Sequence, residues 1–306
     1  MANITDFMQI DRRDDGDAVA LIRPEQVAEF ILALPKLTPD TEPRNSWKRN
    51  MEYRFMDNDN AEFYGQTPPE AVVRQILTGE LTTPPREVDT VSDMIAADLA
   101  NLGTRNRRTR HHAEDGEINI SRWIDDRDRC FTRRRRTPKP FPIVNVIANF
   151  CFNCHTPLKA FQNQATILTA TCKTLESIGF STNVFAAQIT RTSRVNHKRH
   201  ILIPLKSAGT PLNAAQVWTY TRREVSRRIY HNLTAALCYA MNDKFDYSLG
   251  HCDWMRPTLY ADLLPGTSLI FEAGYETVHA TPETMAQLIK QQIDDAKIIA
   301  QDEGNF

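Results

Sequence analysis

The stretch ANFCFNCHTP, residues 148–157, sets Cys151, Cys154 and His155 in the spacing C-x-x-C-H. Two chemistries use that spacing: covalent attachment of a c-type haem, and half of a structural zinc site. Haem attachment takes place outside the cytosol. The opening MANITDFMQIDRRDDGD carries acids early and has no apolar run, so it does not read as an export signal. Zinc needs two ligands beyond Cys151 and Cys154. Cys172, Cys238, His251 and Cys252 are scattered, and no second C-x-x-C is present. The stretch is therefore expected to be a loop without metal or haem, its thiols packed as small hydrophobes, with a contact role left open.

Other reactive residue types are weaker still. GHCDWMRP (250–257) would offer Cys252 as a thiol nucleophile with His251 or a distant histidine as base. Sequence neighbours rarely face one another, so a structural turn is expected. DRRDDGD (11–17) holds Asp11, Asp14, Asp15 and Asp17 and is expected to be a solvated acidic segment. DDRDRC (125–130) would bind a divalent ion for nuclease chemistry through Asp125, Asp126 and Asp128, but the interleaved arginines favour self-neutralising surface pairs. No phosphate-cradling glycine loop, dinucleotide fingerprint, zinc-protease helix or nucleophile elbow occurs. A non-enzymatic protein without a cofactor is expected. A metal-dependent nuclease or a thiol hydrolase on the residues just named remains the catalytic alternative.

Charge is the stronger signal. The 306-residue chain has a formal net charge of −1, but residues 104–231 hold 23 Lys and Arg against 8 Asp and Glu, and the remainder holds 14 against 30. Four arginine-rich clusters carry the excess: Arg105, Arg107, Arg108 and Arg110; Arg133, Arg134, Arg135, Arg136 and Lys139; Arg191, Arg194, Lys198 and Arg199; Arg222, Arg223, Arg227 and Arg228. Arginine bonds phosphate with two parallel donors and stacks on bases. Tyr220, Tyr230 and Phe131 stand near these clusters as stacking candidates. A polyanion is the expected partner, single-stranded DNA in preference to duplex because no helix-turn-helix or zinc finger is visible.

The elements that position these residues follow from periodicity and caps. Helices are expected at 24–34, 67–80 and 90–103, making an acidic helical N-terminal region over 1–103. Residues 104–140 have no clean period and read as a basic linker or arm. FPIVNVIANF (141–150) is a strand buried on both faces, followed by a helix over 156–180 with Thr156 as cap and Gly179 as its end. Strands are expected at 182–190 and 200–206, the latter an antiparallel edge, then a long helical stretch at 210–242, a strand at 267–273, and a helix at 281–301 capped by Thr281. The fold class is α/β, a mainly parallel sheet with helices on both faces.

The order β-α-β-β-α with an antiparallel edge strand over 141–306 resembles the von Willebrand factor A fold. Where that fold carries its D-x-S-x-S metal motif, this chain has ANFCFNCHT, which offers no hard oxygen set for magnesium. Across residues 45–240, NSWKRNMEYRF, TPPEAVVRQILTGE, INISRWIDDRDRCF, FPIVNVIANFCFNC, LESIGFSTNVFAAQI and ILIPLKSAGTPLNAAQVWTY are similar to an uncharacterised tailed-bacteriophage protein family with a von Willebrand A-like domain lacking the metal motif. The resemblance implies a phage-encoded protein in the bacterial host cytoplasm and no assigned activity; the expected nucleic-acid binding would make it an accessory in phage transcription or replication. The alternative is a von Willebrand A-like adaptor that binds a phage or host protein, such as a polymerase, through the top of its sheet. No stretch is long and apolar enough to span a membrane.

Overall fold

A computed structural model describes residues 7–33, 69–78, 87–99, 109–112, 117–118, 131–134, 142–152, 156–191, 197–222, 225–241, 255, 260 and 262–296. Its centre is a six-stranded mixed sheet built from β1 (Gln9–Arg12), β2 (Ala18–Leu21), β6 (Ile143–Asn149), β7 (Ser181–Arg191), β8 (Lys198–Lys206) and β9 (Thr267–Phe271), in the order β1-β2-β8-β7-β6-β9. Pairing is parallel at β2–β8, β7–β6 and β6–β9, and antiparallel at β1–β2 and β8–β7. The α/β expectation holds.

Strand β6 is buried on both faces, as its mostly apolar run suggests. Val144, Val146 and Ala148 face the main core, whereas Ile147 joins a smaller cluster on the other face with Phe185, Leu202, Met255 and Tyr260. The main face is covered by α1 (Pro24–Ala33), α2 (Pro69–Thr78), α3 (Glu87–Leu99), α4 (Leu158–Ser177), α5 (Ala214–Tyr220), a π-helix (Val225–Tyr230), α6 (His231–Ala240) and, beyond the short α7 (Tyr275–Val278), α8 (Pro282–Asp295). The two layers are thus unequal among the described residues.

Helix α4 is rich in threonine yet deeply buried. The hydroxyls of Thr166, Thr169 and Thr171 each donate to the carbonyl four residues back, at 3.0, 2.8 and 2.7 Å, so their burial leaves no unmet donor. Its start differs from expectation: Pro157, not Thr156, occupies the cap position, without a side-chain cap. At α8 the expected Thr281 cap is present, its hydroxyl accepting from the Thr284 amide and the Thr284 hydroxyl accepting from the Thr281 amide. The long helix expected at 210–242 is broken. After α5 the Thr221 hydroxyl donates to the Trp218 carbonyl, and the chain re-forms as a π-helix before α6. Pro204 stands at the β7–β8 register shift between Val184 and Phe185, where a strand residue lacking an amide hydrogen is tolerated.

DRRDDGD forms the end and turn of the β1–β2 hairpin, β2 pairs with β8, and Phe30, Ile76, Val91 and Ile95 enter the same core as β6–β9. Asp17, expected to be solvated, is 2% exposed and accepts the Lys198 amide at 2.7 Å. Arg13 pairs with Asp11 at 3.0 Å. Residues 104–140 also carry regular structure: β3 (Thr109–His112), β4 (Glu117–Ile118) and β5 (Phe131–Arg134) form a second sheet in the order β3-β5-β4.

One buried ion pair closes the base of the main sheet. The Lys206 side chain is fully buried, with its Nζ 2.6 Å from Glu176 Oε1, 2.9 Å from the Thr182 carbonyl and 3.3 Å from the Ser207 carbonyl. Thr182 Oγ1 donates to the same Glu176 oxygen at 2.8 Å and lies 3.0 Å from Cys172 Sγ. Burial pushes the Cys172 thiol up to about 11, which makes it a packed, unreactive group at neutral pH.

Gly266 opens β9 with φ +100°, and a Cβ there would stand 2.6 Å from the Ile143 carbonyl oxygen. Neither the backbone angle nor the neighbour can yield cheaply. Gly266→Ala is expected to lower stability by about 2–3 kcal/mol, read as a fall in the denaturation midpoint at unchanged m-value.

Candidate nucleic-acid interface

The second sheet joins two arginine clusters that lie far apart in sequence. Antiparallel pairing of β3 with β5 sets Thr109 opposite Arg134, Arg110 opposite Arg133, His111 opposite Thr132, and His112 opposite Phe131. On the other side of β5, Glu117 is opposite Thr132 and Ile118 opposite Phe131. Direct cross-strand partners share a face and successive residues alternate, so Arg110, His112, Ile118, Phe131 and Arg133 lie on one face. Thr109, His111, Glu117, Thr132 and Arg134 lie on the other.

Placing Arg110 directly across from Arg133 works against the ribbon. Like charges opposite one another destabilise a strand pair, and the only acid in these three strands is Glu117, on the other face. Arg105, Arg107, Arg108, Arg135, Arg136 and Lys139, the other members of these two clusters, lie outside the described residues.

The other two clusters are drawn largely into the fold. Arg199 is 1% exposed, its Nη1 donating to the Gly16 carbonyl at 2.6 Å and the Lys198 carbonyl at 3.0 Å. Lys198 is likewise buried. Arg222 is half-buried and donates to Gln75 Oε1 at 2.7 Å. Arg227 donates to the Thr156 carbonyl at 3.3 Å, with its guanidinium carbon 5.8 Å from the centre of the Phe161 ring. Arg191 ends β7 and is exposed. Arg194 and Arg223 lie outside the described residues, and Arg228 belongs to the π-helix.

Tyr220 and Tyr230 are each 0% exposed, so no ring face is open to a base. Burial raises both hydroxyls above their usual range, and for Tyr220 the neighbouring Tyr230 and Glu25 add to it. Lys198, Arg199, Tyr220 and Tyr230, expected as contact residues, are buried. Sequence spacing grouped them with the arginines around them. The structure places them on strand and helix positions that face inward.

The carboxyl end of β6, where open α/β sheets commonly bind ligands, is tied up internally. Gln164 Nε2 donates to the Asn149 carbonyl at 3.2 Å and the Phe271 carbonyl at 2.8 Å, clamping the ends of β6 and β9. Asn149 Nδ2 donates to Glu272 Oε2 at 3.0 Å, Glu272 Oε1 accepts the Met255 amide, and the Cys151 amide donates to Asn149 Oδ1 at 3.0 Å. The Ser226 hydroxyl, on the π-helix, caps the Phe150 carbonyl at 2.8 Å. Cys151 is buried at 5% exposure. Cys154, His155, Asp125, Asp126, Asp128, His251 and Cys252 fall outside the described residues. Among the described residues no group of three or more histidine, cysteine or carboxylate side chains is arranged to hold a metal, and no helix is long and apolar enough to cross a membrane.

The fold and this surface together define an α/β protein with a mixed six-stranded sheet and a small accessory sheet that pairs arginine against arginine. The chain belongs to the family described as a domain of unknown function, DUF7192, which it matches over residues 13–293. No curated protein and no solved structure matches it.

Proposed function

We propose that the protein binds nucleic acid, single-stranded DNA in preference to duplex, and acts without catalysing a reaction as an accessory in phage transcription or replication. The observation that carries this reading is the register of Arg110 against Arg133. Arg110 on β3 and Arg133 and Arg134 on β5 stand on adjacent short strands, which supports phosphate contact, and the remaining clustered arginines extend the basic stretch in sequence. Four-residue strands offer no recognition helix for a major groove, which favours a flexible single strand. The phage setting rests on the resemblance of residues 45–240.

The finer reading of the main sheet is von Willebrand A-like. It is supported by the run β6, α4, parallel β7 and antiparallel β8, with β9 on the far side of β6. It differs from the expected form at β8, which is internal because β2 pairs with it.

Binding of the purified full chain to labelled single-stranded DNA, duplex DNA and RNA across a salt series tests the proposal. Single-stranded DNA is expected to bind most tightly, with log affinity falling linearly against log salt. Changing Arg133–Arg136 to Ala should flatten that slope. No binding to any strand at low salt would overturn the nucleic-acid reading, and tighter binding of duplex or RNA would overturn the strand preference.

A further inference from the structure

We infer that the segment from α5 through the π-helix to the end of α6 opens as a unit before the sheet does, with the Ser226–Phe150 bond as its latch on β6. The π-helix is the first sign. Such turns are rare, occur mostly as single-turn insertions, and persist where surrounding contacts hold them. Helix α5 ends just before it, where the Thr221 hydroxyl turns back to the Trp218 carbonyl, so the helical ladder is interrupted. Buried polar groups add to the cost of the closed form. Tyr220 and Tyr230 are fully buried, and neither hydroxyl has a hydrogen-bond partner among the described residues. Asn232, 1% exposed, leaves its Nδ2 donor unmet in the same way. Each of these groups gives up water on folding and gains no bond in return, and opening hydrates all three. Apart from apolar packing, the closed form is held by side-chain bonds to remote places: Ser226 Oγ to the Phe150 carbonyl at 2.8 Å, Arg222 Nη1 to Gln75 Oε1 at 2.7 Å, and Arg227 Nη2 to the Thr156 carbonyl at 3.3 Å. Strands β6, β7 and β8 are joined instead by continuous backbone ladders. The penalty therefore falls on the segment and not on the sheet, which sets the order of opening. Opening frees the Phe150 carbonyl at the carboxyl end of β6 and releases Tyr220, Tyr230, Arg222 and Arg227, side chains that the closed form keeps inward.

Native-state hydrogen exchange of the full chain, followed amide by amide by NMR, tests this. In the unaltered protein the amides of Ser226, Leu233 and Leu237 are expected to exchange at least about a hundredfold faster than those of Val146 and Ala186 in β6 and β7. Tyr230→Phe removes an unmet hydroxyl and keeps the ring, and should slow exchange of the segment amides about tenfold. Gly266→Ala acts at the opposite end of β6 from Ser226. It should speed exchange of the Val146 and Ala186 amides about thirtyfold and leave the segment amides unchanged, because the segment opens without the sheet. Segment amides as slow as those of Val146 and Ala186 would overturn the inference. So would a Gly266→Ala variant in which both sets speed up equally, or a folded Tyr230→Phe variant whose segment amides exchange faster, since the hydroxyl would then be bonded. The comparison within the unaltered protein stands whether or not either variant folds.

Discussion

Arg133→Glu should weaken binding of single-stranded DNA by about tenfold or more at low salt and flatten the log–log salt slope by about 0.7, while leaving the protein as stable as before or slightly more so. The two effects have opposite signs because they arise from the same register. Arg110 stands directly across β3–β5 from Arg133, so an introduced carboxylate converts a like-charge pair into an opposite-charge pair. Such pairs contribute roughly 0.2–1 kcal/mol in a sheet. A phosphate strand meets the opposite change, losing one cation and gaining one repulsive charge. Fluorescence anisotropy over a salt series reads the first effect, and a denaturant midpoint reads the second. A residue that served the fold alone would lose stability and leave the salt slope untouched, and that result would contradict the proposed interface.

Breaking the Lys206–Glu176 pair should be the most damaging change to stability, and the order of the two single variants should reveal why. Glu176→Gln leaves the Lys206 ammonium, whose side chain is 0% exposed, facing neutral acceptors only, and is expected to cost about 4 kcal/mol. Lys206→Met removes the buried charge and keeps the apolar stem. It leaves Glu176, at 34% exposure, to be hydrated, so about 2 kcal/mol is expected. The double variant should be more stable than Glu176→Gln alone, since both charges are then gone. Denaturant unfolding of the three variants checks the ordering. Additive losses would mean that the pair does not act as a unit.

The βαβ core was readable because each part had a strong local signal. The mostly apolar run before Asn149, the Gly179 stop and the Thr281–Pro282 start are each strong local signals that need no tertiary partner to be read. The N-terminal hairpin was not readable for the opposite reason. Gln9–Arg12 is polar at every position but Ile10, and its sheet partners are supplied through β2 by β8, far along the chain, so local composition suggested a solvated segment. The accessory sheet hid in the same way: strands of four, two and four residues carry too few alternations to register as a period. At the candidate interface, sequence showed where arginine was dense but not which arginines face inward. Arg199 and Arg227 look like their neighbours in composition and differ only in having carbonyl partners from remote segments.

The parallel seam between β2 and β8 has a consequence for how the chain is made. The Lys198 amide that Asp17 accepts lies 181 residues downstream. At translation rates of about 5–20 residues per second, the β1–β2 hairpin leaves the ribosome roughly 10–40 s before its sheet partner exists. During that interval the backbone edge of Ala18–Leu21 is open to wrong partners, including the same strand on a neighbouring nascent chain. Slow synthesis or crowded polysomes should therefore depress the yield of folded protein. Moving the hairpin's coding segment to follow β8 would shorten that wait.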